Sequence, residues 1–150
     1  MISFCENVLE TDMHDISVHY RPPAAFFVAA QPRAAKADDE TATSGDEEVV
    51  GYVGLEYLPE KDAQIAEVRR MIVSAKRRRH GIGARLMQAL IAHGETIPGL
   101  RWIELGTSDY QLGAQRFYTR LGWEVFRVET VRQGVVSATI RQFRRPVGTA

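Results

Sequence analysis

Arg78-Arg79-His80-Gly81-Ile82-Gly83 stands between two stretches of different character. Upstream, Val68-Arg69-Arg70-Met71-Ile72-Val73 alternates and reads as a strand. Downstream, Ile82, Leu86 and Leu90 fall on one helical row, with Gly83, Met87 and Ile91 on the next. The glycines therefore sit where a strand hands over to a helix N-terminus. Unpaired backbone N–H groups and the positive end of the helix dipole point outward at such a junction. Glycine removes the side chains that would hold an anion away from the backbone. A basic run, Lys76-Arg77-Arg78-Arg79, comes just before it. The physical reading is a phosphate cradle.

Two common cradles do not fit. A Walker loop needs Gly-x-x-x-x-Gly-Lys-Ser/Thr, which the chain lacks. A dinucleotide fingerprint needs a third glycine where Leu86 stands, and no alternating βαβ pattern precedes this one. What remains is Arg78-x-x-Gly81-x-Gly83. It resembles the pyrophosphate-binding motif of the GNAT superfamily of acyl-CoA-dependent N-acyltransferases. The surroundings agree with that resemblance. Met71-Ile72-Val73 ends a strand about five residues before Arg78. After the helix come Trp102-Ile103-Glu104-Leu105-Gly106-Thr107-Ser108, then Ala114-x-x-Phe117-Tyr118-x-x-x-Gly122-Trp123. The words Val68-Arg69-Arg70-Met71 and Leu105-x-Thr107-Ser108 are similar to those of camello-like members. The resemblance covers roughly residues 12 to 127.

It implies an α/β fold of the α+β kind. A mixed, mostly antiparallel sheet would carry helices on both faces and a splayed central strand pair. Periodicity places the elements. Residues 2–5 suggest a short strand, and 6–20 a helix stopped by Pro22-Pro23. Ala24–Ala30 and Val49–Leu58 read as strands around a mobile acidic loop, residues 32–48. A turn at 59–62 leads to a strand over 64–73. The cradle helix spans 82–93, with Gly94 as its cap. A strand at 102–107 and a helix at 112–121 follow. A hairpin pairs 123–131 with 135–143 across Gln133-Gly134. One domain, 1–150, is expected. About twenty residues precede Pro22, fewer than the strand and two helices that usually open such domains. An open acceptor groove, or one completed by a second subunit in a homodimer, is expected.

Composition excludes other classes. The chain has 150 residues, a formal net charge of zero and 45% hydrophobic residues. That is one ordinary core, with no global field for nucleic acid or anionic membrane. The basic run at 76–79 is local. Cys5 is the only cysteine, so no intrachain disulfide and no cysteine cluster can form. His14, His19, His80 and His93 lack metal-ligand spacing, so no metal is expected. No apolar run is long enough to span a bilayer, and a cytoplasmic location is expected.

The resemblance implies the site. Backbone groups of Met71, Ile72 and Val73 would pair with the pantetheine arm of acetyl-CoA. The Ile72 N–H would act as an oxyanion donor. Arg78, Arg79, Gly81, Gly83 and Ala84 would hold the pyrophosphate, with His80 and Ile82 giving backbone N–H groups. Gln111 stands where relatives place an asparagine on the arm. Tyr118 matches the tyrosine proposed to protonate the leaving thiolate; a tyrosine on an apolar helix face is otherwise usually core, its hydroxyl on a backbone group. Glu67 is a candidate general base, or a strand carboxylate paired with Arg69 or Arg70. Glu56 is the alternate base. Thr107 and Ser108 have no His-Asp partner, which argues against a serine nucleophile. The implied activity is acetyl transfer to an amine of a small molecule or protein, by direct attack in a ternary complex. The rival is a non-catalytic acyl-CoA-binding module on the same scaffold.

Overall fold

The structure is a computed structural model that describes residues 13–32 and 47–148. Six strands form one sheet in the order β1-β2-β3-β4-β6-β5. They are β1 (Ala25–Pro32), β2 (Glu47–Glu56), β3 (Ile65–Val73), β4 (Trp102–Ser108), β5 (Glu124–Gln133) and β6 (Val136–Pro146). Neighbours are antiparallel except β3 and β4, which run parallel. Among the described residues, four helices accompany them: α1 (Ile16–His19), α2 (Pro59–Asp62), α3 (Ile82–Gly94) and α4 (Leu112–Arg120). This is the expected α+β architecture. Among the described residues, no helix is long and apolar enough to cross a membrane.

The periodicities explain the core. Val53 and Leu55 of β2, Ala66 and Val68 of β3, Ile103 and Leu105 of β4, and Phe143 of β6 are buried together. Leu86, Met87 and Leu90 of α3 close over them, as their helical spacing requires. Tyr118 of α4 and Trp123 complete the same cluster. A fully buried side chain of this size contributes about 1.5–3 kcal/mol. Two glycines tell the faces of β2 apart. A Cβ on Gly51 would meet Leu86 and Ile82 of α3; one on Gly54 would strike the Tyr20 ring. Helices therefore lie on both faces, α3 and α4 on one and α1 on the other.

Several boundaries differ from expectation. The 6–20 helix does not run through 13–15. Extended Asp15 instead caps α1, its carboxylate accepting from the Val18 N–H at 3.1 Å. The strand at 2–5, Cys5 and most of the expected loop lie outside the described residues. That loop is shorter than 32–48, because Pro32 pairs with Glu47 and Gln31 with Glu48. The turn at 59–62 is one turn of helix, opened by Pro59. Gly94 belongs to α3 and is not its cap. A Cβ there would lie 2.8 Å from Ile103 Cδ1, so its lack of a side chain lets α3 approach β4. The hairpin turns one residue later than expected. Gln133 pairs with Val136, leaving Gly134-Val135 as the two-residue loop, with Gly134 at φ 62°.

The site arises from one irregularity. β3 and β4 pair only over Ile65–Glu67 and Trp102–Glu104. Beyond that, β3 runs on to Val73 and β4 to Ser108 without meeting. A bulge helps to turn β3 away. Tyr52 faces Ile72 and Gly54 faces Arg69, so β3 holds one residue more than β2 across this step. Arg70 takes φ 56° there.

Candidate active site

The gap between β3 and β4 leads to the cradle. Past Val73 the chain makes a 3₁₀ turn (Ala75–Arg77) and folds back on itself. Arg78 Nε donates to the Val73 carbonyl at 3.3 Å. His80 Nδ1 lies 2.8 Å from the Arg78 carbonyl, which can only accept, so Nδ1 carries the proton. Arg79 and Gly81 both adopt left-handed backbone, at φ 65° and 75°. α3 starts immediately after Gly81, and no side chain caps it. Its first rung is Arg85 N–H to the Gly81 carbonyl, 3.0 Å. The N–H groups of Ile82, Gly83 and Ala84 precede that rung.

The two glycines do different work. A Cβ on Gly81 would meet nothing within 4 Å, so the space before the helix is open. A Cβ on Gly83 would meet Met71 Cε and Phe117 Cζ, both at 3.2 Å. Gly83 thus lets α3 settle between β3 and α4. Lys76, Arg78 and Arg79 are exposed around the opening. Arg77 is half-buried and turned away. With the Gln31 amide oxygen facing it, that oxygen accepts from Nη2 at 2.6 Å and Nε at 2.9 Å. An uncapped helix start, open space at Gly81 and exposed cations fit a polyphosphate.

Tyr118 of α4 is only 6% exposed. Its ring meets those of Phe117, Trp123 and Phe143 at 5.2, 6.1 and 6.0 Å. Burial pushes its hydroxyl from the ordinary 10.0 up to about 12. The folded state therefore holds this proton more tightly than the unfolded chain. The associated stability is complete below pH 10 and falls by about 2–3 kcal/mol as pH rises toward 12. Tyr118→Phe should flatten that part of the alkaline unfolding profile, followed by circular dichroism at stepped pH.

The sequence profile of the Acetyltransferase (GNAT) family matches residues 5–123. The chain belongs to the GNAT family. No curated protein sequence matches it significantly. Solved structures of the same fold do. NAA60 of Arabidopsis thaliana, in complex with acetyl-CoA, superposes with TM-score 0.58 at 17% identity over 68% of either chain. A GNAT acetyltransferase of Staphylococcus aureus Mu50 gives 0.62 at 22% identity, covering 92% of this chain and 77% of its own. Nourseothricin acetyltransferase gives 0.64 at 20%, covering 83% and 66%. At these identities the likeness describes the fold.

In this GNAT chain both candidate bases lie on the sheet face opposite α3. Glu56, Glu67 and Glu104 are cross-strand neighbours at one level of β2, β3 and β4. Glu56 and Glu67 also line a small cavity of about 120 Å³ with Leu58, Lys61, Asp62 and Ile65. Glu56 is engaged by His19 of α1, Nε2 to Oε1 at 2.7 Å. Glu67 meets Arg69 at 3.3 Å, with both side chains well exposed. Such a pair is worth well under about 1 kcal/mol and leaves the carboxylate available. Burial raises the Glu104 carboxyl above its usual range; Arg127 and Arg144 oppose this, while Glu67 and Asp62 add to it. Among the described residues, no group of His, Cys, Asp or Glu could hold a metal ion.

Gln111 bonds within the protein. Its side-chain oxygen accepts from the Ser108 N–H at 3.2 Å. Gln115 completes that anchor, Nε2 donating to the Ser108 carbonyl at 3.0 Å. Sequence reading missed Gln115, His19 and Glu104. Glu104 alone had a signal, as a charged residue between the strand positions Ile103 and Leu105. The other two depend on contacts remote in sequence or specific to the turn.

Proposed function

We propose that this GNAT chain transfers an acetyl group from acetyl-CoA to a primary amine, by direct attack within a ternary complex. The observation that carries this reading is the β3–β4 gap running into the uncapped start of α3. Acetyl-CoA would supply the activated acetyl thioester. Ile82, Gly83 and Ala84 would hold its pyrophosphate through backbone N–H groups, with His80 and Gly81 beside them and Arg78 and Arg79 adding charge. Met71, Ile72 and Val73 would offer backbone groups along the gap. The Ile72 N–H would serve as oxyanion donor. The words at 68–71 and 105–108 favour a camello-like branch.

Glu67 would draw a proton from the incoming amine, directly or through water. Its exposed carboxylate lies beside the cavity, whereas Glu56 is tied to His19. Tyr118, like any tyrosine, keeps its proton at neutral pH, and burial moves its titration further up, to about 12. Full transfer to a thiolate near ~8.5 would run uphill by roughly 5 kcal/mol in this setting. The hydroxyl is therefore better suited to donating a hydrogen bond to the departing sulfur than to releasing its proton early. The carboxylate row supports an acceptor that approaches as a cation.

The test is thiol release from acetyl-CoA in the presence of a panel of amines. Glu67→Gln should lower kcat about 100-fold or more while acetyl-CoA binds within about twofold of wild type. Tyr118→Phe should also lower kcat at unchanged affinity. Tight acetyl-CoA binding with no turnover of any amine would favour a non-catalytic binding module instead.

A further inference from the structure

Arg144 of β6 stands in the same cross-strand row as the carboxylates. Glu67 pairs with Glu104, Glu104 with Arg144, and Arg144 with Glu124 of β5. The row lies on the face opposite α3, since Phe143, next to Arg144, is in the core. An arginine flanked by carboxylates on both neighbouring strands would ordinarily bridge to one of them. This one bridges to neither. Among the described residues, its guanidinium has no ion pair and no hydrogen bond. Rings hold it instead. Its Cζ lies 4.3 Å from the centre of the Trp102 ring and 5.0 Å from that of Phe126. A bulge brings Phe126 there: Val125 faces Phe143 and Arg127 faces Gln142, with Phe126 the extra residue between them. Arg144, Trp102 and Phe126 are all half-buried.

Ring contacts attract the charge of a guanidinium without using its N–H donors. Arg144 is thus fixed in place and partly withdrawn from water, with those donors unspent. A carboxylate is the planar anion that meets them in two parallel bonds. Glu104 and Glu67, one and two strands away, carry the opposite charge. With strands about 4.8 Å apart, the row offers negative and positive charge within about 5–10 Å, the scale of a small zwitterion. We infer that the acceptor is an amino carboxylate, its amine turned to Glu67 and Glu104 and its carboxylate held by Arg144. The inference rests on the acetyl-transfer reading above and names the acceptor class. An amine without an anion would leave Arg144 unmet. Arg144 selects among amines and takes no part in the chemistry, so its loss should fall on KM.

The standard amino acids, each beside its carboxamide, test this, because the two differ in the anion alone. Thiol release from acetyl-CoA gives kcat/KM for each. Wild type should acetylate amino acids. Arg144→Gln should lower kcat/KM on them about 10–100-fold, mainly through KM, and at least about tenfold more than on the carboxamides. Arg144→Lys keeps the charge without the fork and should fall between. Coenzyme A affinity by calorimetry reports that each variant is folded. Equal losses on amino acid and carboxamide would overturn the inference and make Arg144 structural. Turnover of carboxamides or simple amines, with none of the amino acids, would overturn it too and leave acetyl transfer intact. Turnover of no amine at all would remove the acetyl-transfer reading, and this inference with it.

Discussion

Gly81→Glu should weaken acetyl-CoA binding by more than about 100-fold in calorimetry while the protein stays folded. The position takes φ 75°, where any side chain is strained by about 1–2 kcal/mol. That strain is present with and without acetyl-CoA, so it lowers stability and cancels from affinity. The Cβ itself meets nothing within 4 Å, so no clash is added. The carboxylate, however, would enter the space in front of the first α3 N–H groups. A negative charge ~5 Å from a phosphate opposes it by about 3 kcal/mol at an effective dielectric of ~20. That is a loss of more than ~100-fold. Gly99→Glu is the matched control. Gly99 has φ 79° and open space, but it follows the far end of the 13-residue α3, about 20 Å away. It should lower stability by a similar amount and leave affinity alone. Equal affinity in the two variants would mean that the start of α3 does not face the phosphates.

Gly54→Ala acts on the other face. A single added carbon would lie 2.5–2.7 Å from Cε1, Cζ and the hydroxyl oxygen of Tyr20. Tyr20 is 5% exposed and packs against His19 and Phe26, ring centroids 4.9 and 5.0 Å apart. The ring must swing out, and α1 must follow it. Losing that burial costs about 2–4 kcal/mol, or roughly 5–15 °C in the unfolding midpoint. His19 would leave Glu56, exposing the second carboxylate of the cavity. Gly113→Ala should behave oppositely. Its Cβ meets nothing, it lies within α4, and alanine there gains about 0.5–1 kcal/mol. Scanning calorimetry of the two variants reads both signs; an unchanged midpoint for Gly54→Ala would mean that Tyr20 does not dock on β2.

What the sequence revealed followed from periodicity. Leu86, Met87 and Leu90 lie in the core because their spacing puts them on one stripe. The junction at Gly81 was visible because strand and helix patterns meet there. Pairings that join distant residues were hidden. Gly94 reads as a cap in one dimension and becomes a contact only once Ile103 is known to lie against it. His19 and Glu56 are 37 residues apart, and no local pattern links them. Val135 looks like a strand residue, yet it stands fully exposed in the hairpin turn.

The short contact between β3 and β4 has a mechanical meaning. Three rungs join two three-stranded leaves, β1-β2-β3 and β4-β6-β5, at one end only. Between the leaves the backbone ladder is thus confined to that end, and α3 bridges the rest by packing on β2, β3 and β4. An extended arm laid along the facing edges would add the missing rungs and clamp the leaves. Amide hydrogens along those edges would then exchange more slowly with acetyl-CoA bound than without it. Release would require the leaves to part, so the lifetime of the bound state would be governed by the bending of the sheet as well as by the phosphate contacts.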